Sequence, residues 1–151
     1  MSLTKDIDQD LIAAIKGGEE LAREVLRMLK SALANARIAE KVPQLSPEQE
    51  ITVLSRELKS RKEAALEYEK VGAADRAKKE LTEAAIVEKY LPAQMSEEDL
   101  KKAVAAALEE SGASEVSQIG AVMGVLAKKL KGKADMKRVN QLVLEQLGAR
   151  G

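Results

Sequence analysis

Apolar residues recur along this chain at intervals of three and four, the spacing of one helix face, and no run of β-branched and aromatic residues suggests a strand. The first helical segment covers residues 3–16 and stops at Gly17-Gly18. The second covers residues 19–41, where Leu21, Val25, Met28, Ala32 and Ala36 make one stripe expected to be buried, and Pro43 ends it. The third opens on a capping box, with Ser46 as N-cap, Pro47 in the first turn and Gln49 three residues on. Ile51, Leu54, Leu58 and Ala65 carry its apolar face toward Val71, and Gly72 closes it. A fourth helix, residues 74–91, places Leu81, Ala84, Ala85 and Glu88 at helical spacing and ends at Tyr90-Leu91-Pro92.

After LPAQMS, Ser96 restarts a helix whose first turn holds Glu97, Glu98 and Asp99, acids that complement the positive end of the helix dipole. This fifth helix stops at Gly112. The sixth, residues 117–131, turns Ile119, Val122, Met123, Leu126 and Leu130 to a core. The seventh starts at Asp135, a good N-cap, and carries Val139, Leu142, Val143 and Leu147 before Gly148. The pattern predicts an all-α protein. A four-helix N-terminal region, residues 1–91, is followed by a hinge at 92–95 and a small three-helix C-terminal bundle at 96–151. A bundle of roughly sixty residues is within the size that folds alone.

Composition narrows the chemistry. The 151 residues include no Phe, Trp, Cys or His. Leu, Val, Ile, Met and Ala must therefore supply the core, which suits closely packed helices. Without cysteine there is no disulfide framework and no thiolate metal site, and without histidine the commonest general base and metal ligand is missing. Glu63, Glu67, Glu80 and Glu83 could face one another between the third and fourth helices. Carboxylate-bridged metal bundles, however, add Glu-x-x-His motifs, so no metal or other cofactor is expected. The face carrying Glu57 and Arg61 mixes favourable and unfavourable charge pairs, as solvated helix faces do. No phosphate-binding glycine loop, nucleophile elbow or zinc spacing occurs. The opening MSLTKDIDQD lacks the apolar stretch of a secretory signal, and no apolar run approaches a membrane span. The chain is expected to be cytoplasmic and to make no contact with membrane.

Charge is balanced overall, with 25 basic and 25 acidic residues, but KKLKGKADMKR is not. Lys128, Lys129, Lys131, Lys133, Lys137 and Arg138 stand there against Asp135 alone. The first three lie at a helix C-terminus, where cations satisfy exposed carbonyls. Lys137 and Arg138 fall in the first turn of the next helix, where cations oppose the dipole, so helix-end electrostatics does not account for them. The alternative is phosphate binding, helped by backbone N–H groups at the start of the last helix. Gly120 and Gly124 share one side of the sixth helix. Each costs about 1 kcal/mol against alanine. Either they pack closely on a neighbouring helix, or they admit a backbone from outside.

Two stretches, RKEAALEYEKVGAADRAKKELTEAAIVEKYLPAQMSEEDL and QIGAVMGVLAKKLKGKADMKRVNQLVLEQL, together resemble the YqeY family. That family is related to the C-terminal tail of the B subunit of the glutamine-dependent aminoacyl-tRNA amidotransferase. The resemblance rests on the Y-L-P-x-Q-x-S-x-x-x-L segment and the I-G-x-V-M-G…K-G-K-A-D helix and loop. Departures fall at Ala64, at Ala74-Asp75-Arg76 and at Met136. The resemblance implies a tRNA connection. The related tail contacts the tRNA body, whereas the amidotransferase's catalytic domain has no counterpart here. The chain is thus expected to be a tRNA-binding module without catalysis of its own, with an aminoacyl-tRNA amidotransferase or synthetase as a possible partner. Lys128, Lys129, Lys131, Lys133, Lys137 and Arg138 would supply charge, and Gly120 and Gly124 close approach. The alternative is an adaptor docking an aminoacyl-tRNA enzyme or another protein without RNA contact, through Glu97, Glu98 and Asp99 or the N-terminal helices.

Overall fold

The computed structural model describes residues 2–150, the side chain of Arg150 excepted, and these form helices without a strand. The helices are α1 (Leu3–Lys16), α2 (Glu20–Ala39), α3 (Pro47–Lys70), α4 (Ala74–Glu88), α5 (Glu97–Ser111), α6 (Ile119–Leu130) and α7 (Met136–Arg150), with a 3-10 turn at Val116–Gln118 before α6. The backbone divides into two compact units, one ending at Pro92 and the other beginning at Ala93. Local chemistry sets most helix ends. Ser46 Oγ accepts from Gln49 N–H while Gln49 Oε1 accepts from Ser46 N–H, the reciprocal capping box. Ser96 Oγ accepts from Asp99 N–H at 3.1 Å, and Asp135 Oδ1 from Lys137 N–H at 3.0 Å. Gly72 and Gly112 close α3 and α5 in the left-handed conformation, at φ 75° and 67°. Two ends differ from expectation by three residues. α4 stops at Glu88, because the residue before Pro92 is driven out of the helical region. The chain instead turns through Tyr90 N–H to Val87 O and Leu91 N–H to Glu88 O. α7 continues through Gly148, which keeps a negative φ.

In the N-terminal unit α1 packs on α2, and α3 with α4 forms a hairpin against α2. Ile7, Leu11, Val25, Leu26, Leu29, Leu33, Leu54, Leu58 and Val87 fill the core. The α2 stripe is rotated from the expected one: Leu26, Leu29 and Leu33 are buried beside Val25, and Met28 is 54% exposed. Both registers fit the helical period. The leucine register wins because each buried leucine contributes about 1.5–3 kcal/mol, far more than an alanine. α4 is rotated likewise, leaving Leu81 exposed and burying Ala77, Ala84 and Val87.

The hairpin also buries charge. Arg61, expected on a solvated face, is 5% exposed. Its guanidinium donates to Glu83, lies 3.8 Å from Glu80 and approaches Met28 Sδ at 3.4 Å. Glu83 and Glu80 are thus drawn to a cation within the chain, while Glu63 and Glu67 are exposed.

Glu50 acts as a cap supplied from another helix. Its carboxylate is 2% exposed. It accepts from Thr4 N–H at 2.7 Å, Thr4 Oγ1 at 2.6 Å and Ser2 Oγ at 2.9 Å, satisfying donors at the start of α1 that would otherwise be unpaired. Burial pushes this carboxyl up, but the bonds from Thr4, Ser2 and Leu3 outweigh it and hold it below the usual carboxylate range. A depressed pKa stabilises the fold above the unfolded-state value, near 4.3, and that contribution is lost as pH falls through the folded value. Glu50→Gln is expected to destabilise the N-terminal unit by about 1–3 kcal/mol at pH 7. The gap should narrow in urea titrations carried below about pH 4. The sequence's two tyrosines, Tyr68 and Tyr90, both lie in this unit, so tyrosine fluorescence reports it alone. A gap that stays constant with pH would show that the carboxylate is not the cap.

In the C-terminal unit α5, α6 and α7 pack pairwise around Leu100, Val104, Leu108, Val122, Leu126, Leu130, Val139, Leu142, Val143 and Leu147. Every position that the pattern of α6 and α7 assigned to the core is buried or packs against it. This core fixes the end of α6 and the start of α7, and so places the loop between them.

Candidate nucleic-acid interface

α6 ends at Leu130 because Lys131 leaves the helical conformation, at φ −54° and ψ 123°, and Gly132 turns left-handed at φ 76°. A β-carbon at that φ would strain the turn, which glycine avoids. Lys133 N–H then folds back on Leu130 O at 2.9 Å. Asp135 restarts the chain, its carbonyl accepting from Val139 N–H at 3.1 Å. Two further bonds come from the stretch between α4 and α5. Gln94 Nε2 donates to Gly132 O at 2.6 Å, and Met95 N–H to Lys133 O at 2.9 Å.

The six basic residues do not act alike. Lys128 and Lys129 occupy the last turn of α6, Lys131 and Lys133 flank Gly132, and Lys137 and Arg138 open α7. The five lysines are exposed and Arg138 is half-buried. Arg138 reaches α5: Nε donates to Glu97 at 2.9 Å, Nη2 to the same carboxylate, and Nη1 lies 3.7 Å from Glu145. The bonds from this guanidinium hold the Glu97 carboxyl below the usual range, and Arg138 is pushed up in turn. Its place in the first turn of α7, which the dipole disfavours, is explained by that partner. Lys129 Nζ lies 3.5 Å from Glu110, an exposed pair of little energetic consequence. Lys128, Lys133 and Lys137 make no ion pair among the described residues. They form the uncompensated part of the cluster.

Gly120 and Gly124 do not show the close packing that was one of their two readings. A β-carbon built on either meets nothing within 4 Å, so neither glycine serves packing within the C-terminal unit. They lie on the side of α6 opposite its buried residues Val122, Leu126 and Leu130. Ala121, Val125 and Ala127 are exposed beside them, and Lys128 follows one turn on. The outer face of α6 is therefore low and smooth, and it leads into the lysines. Gly120→Ala with Gly124→Ala is expected to stabilise this unit by about 0.5–1 kcal/mol per site. Far-UV circular dichroism should show a rise of several degrees in its melting temperature. No rise would mean that the β-carbons meet an obstacle.

The arrangement joins the basic loop to the outer face of α6. Among the described residues no group of three or more acidic side chains could hold a metal, and no helix is long and apolar enough to cross a membrane. What it offers is a set of cations beside an accessible helix backbone. The Gln94–Met95 bonds were missed in the sequence, although Y-L-P-x-Q-x-S stood out, because nothing in the spacing shows where an amide 38 residues upstream of Gly132 will point. A family model described as Yqey-like protein matches residues 4–147. No curated protein matches the chain.

Proposed function

Since the chain belongs to the Yqey-like protein family, we propose that it is a non-catalytic tRNA-binding module. It is related to the tail of the glutamine-dependent amidotransferase and works in the cytoplasm alone or beside an aminoacyl-tRNA enzyme. One observation carries the reading: Lys128, Lys133 and Lys137 stand without carboxylate partners among the described residues of a neutral chain, next to a helix face that carries two open glycines. Lysine ammonium groups recognise phosphate oxygens as point charges, and the two glycines let a sugar–phosphate backbone approach α6 closely. Neither tyrosine lies in this unit to stack a base, so recognition runs through backbone and shape rather than base identity.

The test is a fluorescence-anisotropy titration of labelled tRNA with the full chain at 50 and 200 mM salt. Binding through a few phosphates is expected to weaken by about tenfold to a hundredfold between these conditions. Absence of binding at 50 mM would refute the reading and turn attention to a protein partner. An adaptor surface on α5 would have Asp99 and the weakly paired, exposed Glu98 to offer, because Glu97 is bound by Arg138.

A further inference from the structure

We propose that Gln94 is a positioning residue for the tRNA interface, holding the basic loop in its binding conformation without touching the ligand; this rests on the reading above. Gln94 and Met95 are consecutive residues, and their donors reach consecutive carbonyls, those of Gly132 and Lys133. The strap is anchored, because the Met95 side chain packs against the core of α5, α6 and α7. Its effect on the loop is electrostatic as well as steric. A carbonyl past a helix C-terminus presents the negative end of a peptide dipole, and a free one beside the lysines would repel phosphate oxygens. Tying both carbonyls to the strap occupies one lone pair of each and holds them on that side. It also fixes the left-handed turn at Gly132 and, through it, where Lys133 starts. With Lys133 N–H bound to Leu130 O, every polar backbone group of Lys133 is committed, and its ammonium is what remains for a ligand. Without the amide donor, Gly132 O would swing toward solvent and the lysines would no longer converge on one phosphate track.

The experiment compares the native full chain with Gln94→Met, which keeps the length of the side chain and removes the donor. Gln94→Glu, isosteric and acceptor-only, is the second variant, and helix content of both is checked by circular dichroism. tRNA affinity is measured from 50 to 200 mM salt, and hydrogen exchange at Met95 N–H is followed in the free protein. The expected result is about five- to tenfold weaker binding for Gln94→Met at 50 mM, with the slope of log K against log salt reduced by about one. The loss should be larger for Gln94→Glu, and Met95 N–H should exchange faster in both. The slope is the deciding quantity, since a fold merely loosened elsewhere would lower the active fraction without changing the number of phosphates contacted. Native affinity and slope in both variants, while replacement of Lys128, Lys133 and Lys137 abolishes binding, would overturn the role of Gln94 and leave the tRNA reading standing. No binding by the native chain would overturn both.

Discussion

Replacing Lys128, Lys133 and Lys137 together by glutamine is expected to cost about a hundredfold in tRNA affinity at 50 mM salt and to lower the salt slope by about two to three. Each lysine on a phosphate releases a condensed counterion, so each lost contact removes somewhat less than one from the slope. Glutamine tests this more cleanly than glutamate, because it adds no repulsion that would weaken any polyanion. The choice of these three lysines follows from the structure. Arg138 is held by Glu97 and Glu145, and Lys129 lies by Glu110, so replacing either would free a carboxylate and confuse loss of a contact with gain of a negative charge. The control is Lys16, Lys78 and Lys79 replaced by glutamine. These exposed residues of the N-terminal unit lower the charge equally, and affinity should change little. If both triple variants lose the same affinity, the chain binds tRNA through its overall field and the loop has no special part.

The alanine variants of the glycines supply an independent arm. Gly120→Ala with Gly124→Ala leaves every lysine in place and, with nothing near either β-carbon, improves the helix. Weaker binding by a more stable protein has no explanation in misfolding. It would mean that the backbone of α6 is approached directly.

What the sequence reveals here depends on whether each signal is local. Ser46 with Gln49, Ser96, Asp135, Gly72 and Gly112 were legible as helix ends because a cap acts within about four residues of itself. The core of α6 and α7 was legible because most of their large apolar residues fall in one register, with Val125 and Leu144 outside it. In α2 and α4 two registers compete, and the choice between Met28 and Leu29, or Leu81 and Val87, is made by packing against other helices. Charged residues were the least legible. Glu50 caps a helix 46 residues away, Arg61 finds Glu83 across 22 residues, and Arg138 finds Glu97 across 41. In each case the sequence shows charge, while the partner that decides its role comes from the fold. The basic cluster shows the same limit. Six residues of one sign stood out together, and three remained uncompensated once the helices were placed.

Arg61→Met is expected to destabilise the N-terminal unit by about 3–5 kcal/mol. Methionine keeps most of the aliphatic stem but leaves the Glu83 carboxylate, 9% exposed, without its cation in the hairpin interior. The penalty comes from that stranded charge more than from the lost attraction. Arg61→Met combined with Glu83→Leu should therefore recover most of the loss and come within about 1 kcal/mol of the native unit, or exceed it. Two features favour the apolar pair. The Nε of Arg61 is buried with no hydrogen-bond partner, so its dehydration is incompletely offset in the native state. Met28 Sδ already lies against the guanidinium and would pack well on an apolar side chain. Urea unfolding followed by tyrosine fluorescence isolates this unit, while far-UV circular dichroism reports both. A double variant as unstable as Arg61→Met would show that the ion pair, and not the stranded carboxylate, holds α3 to α4. Recovery would show instead that the pair sets which residues of the hairpin face each other. In a helical interface whose buried positions nearby are Ala65, Ala77 and Ala84, that role is physically needed, since small uniform side chains fix no register of their own.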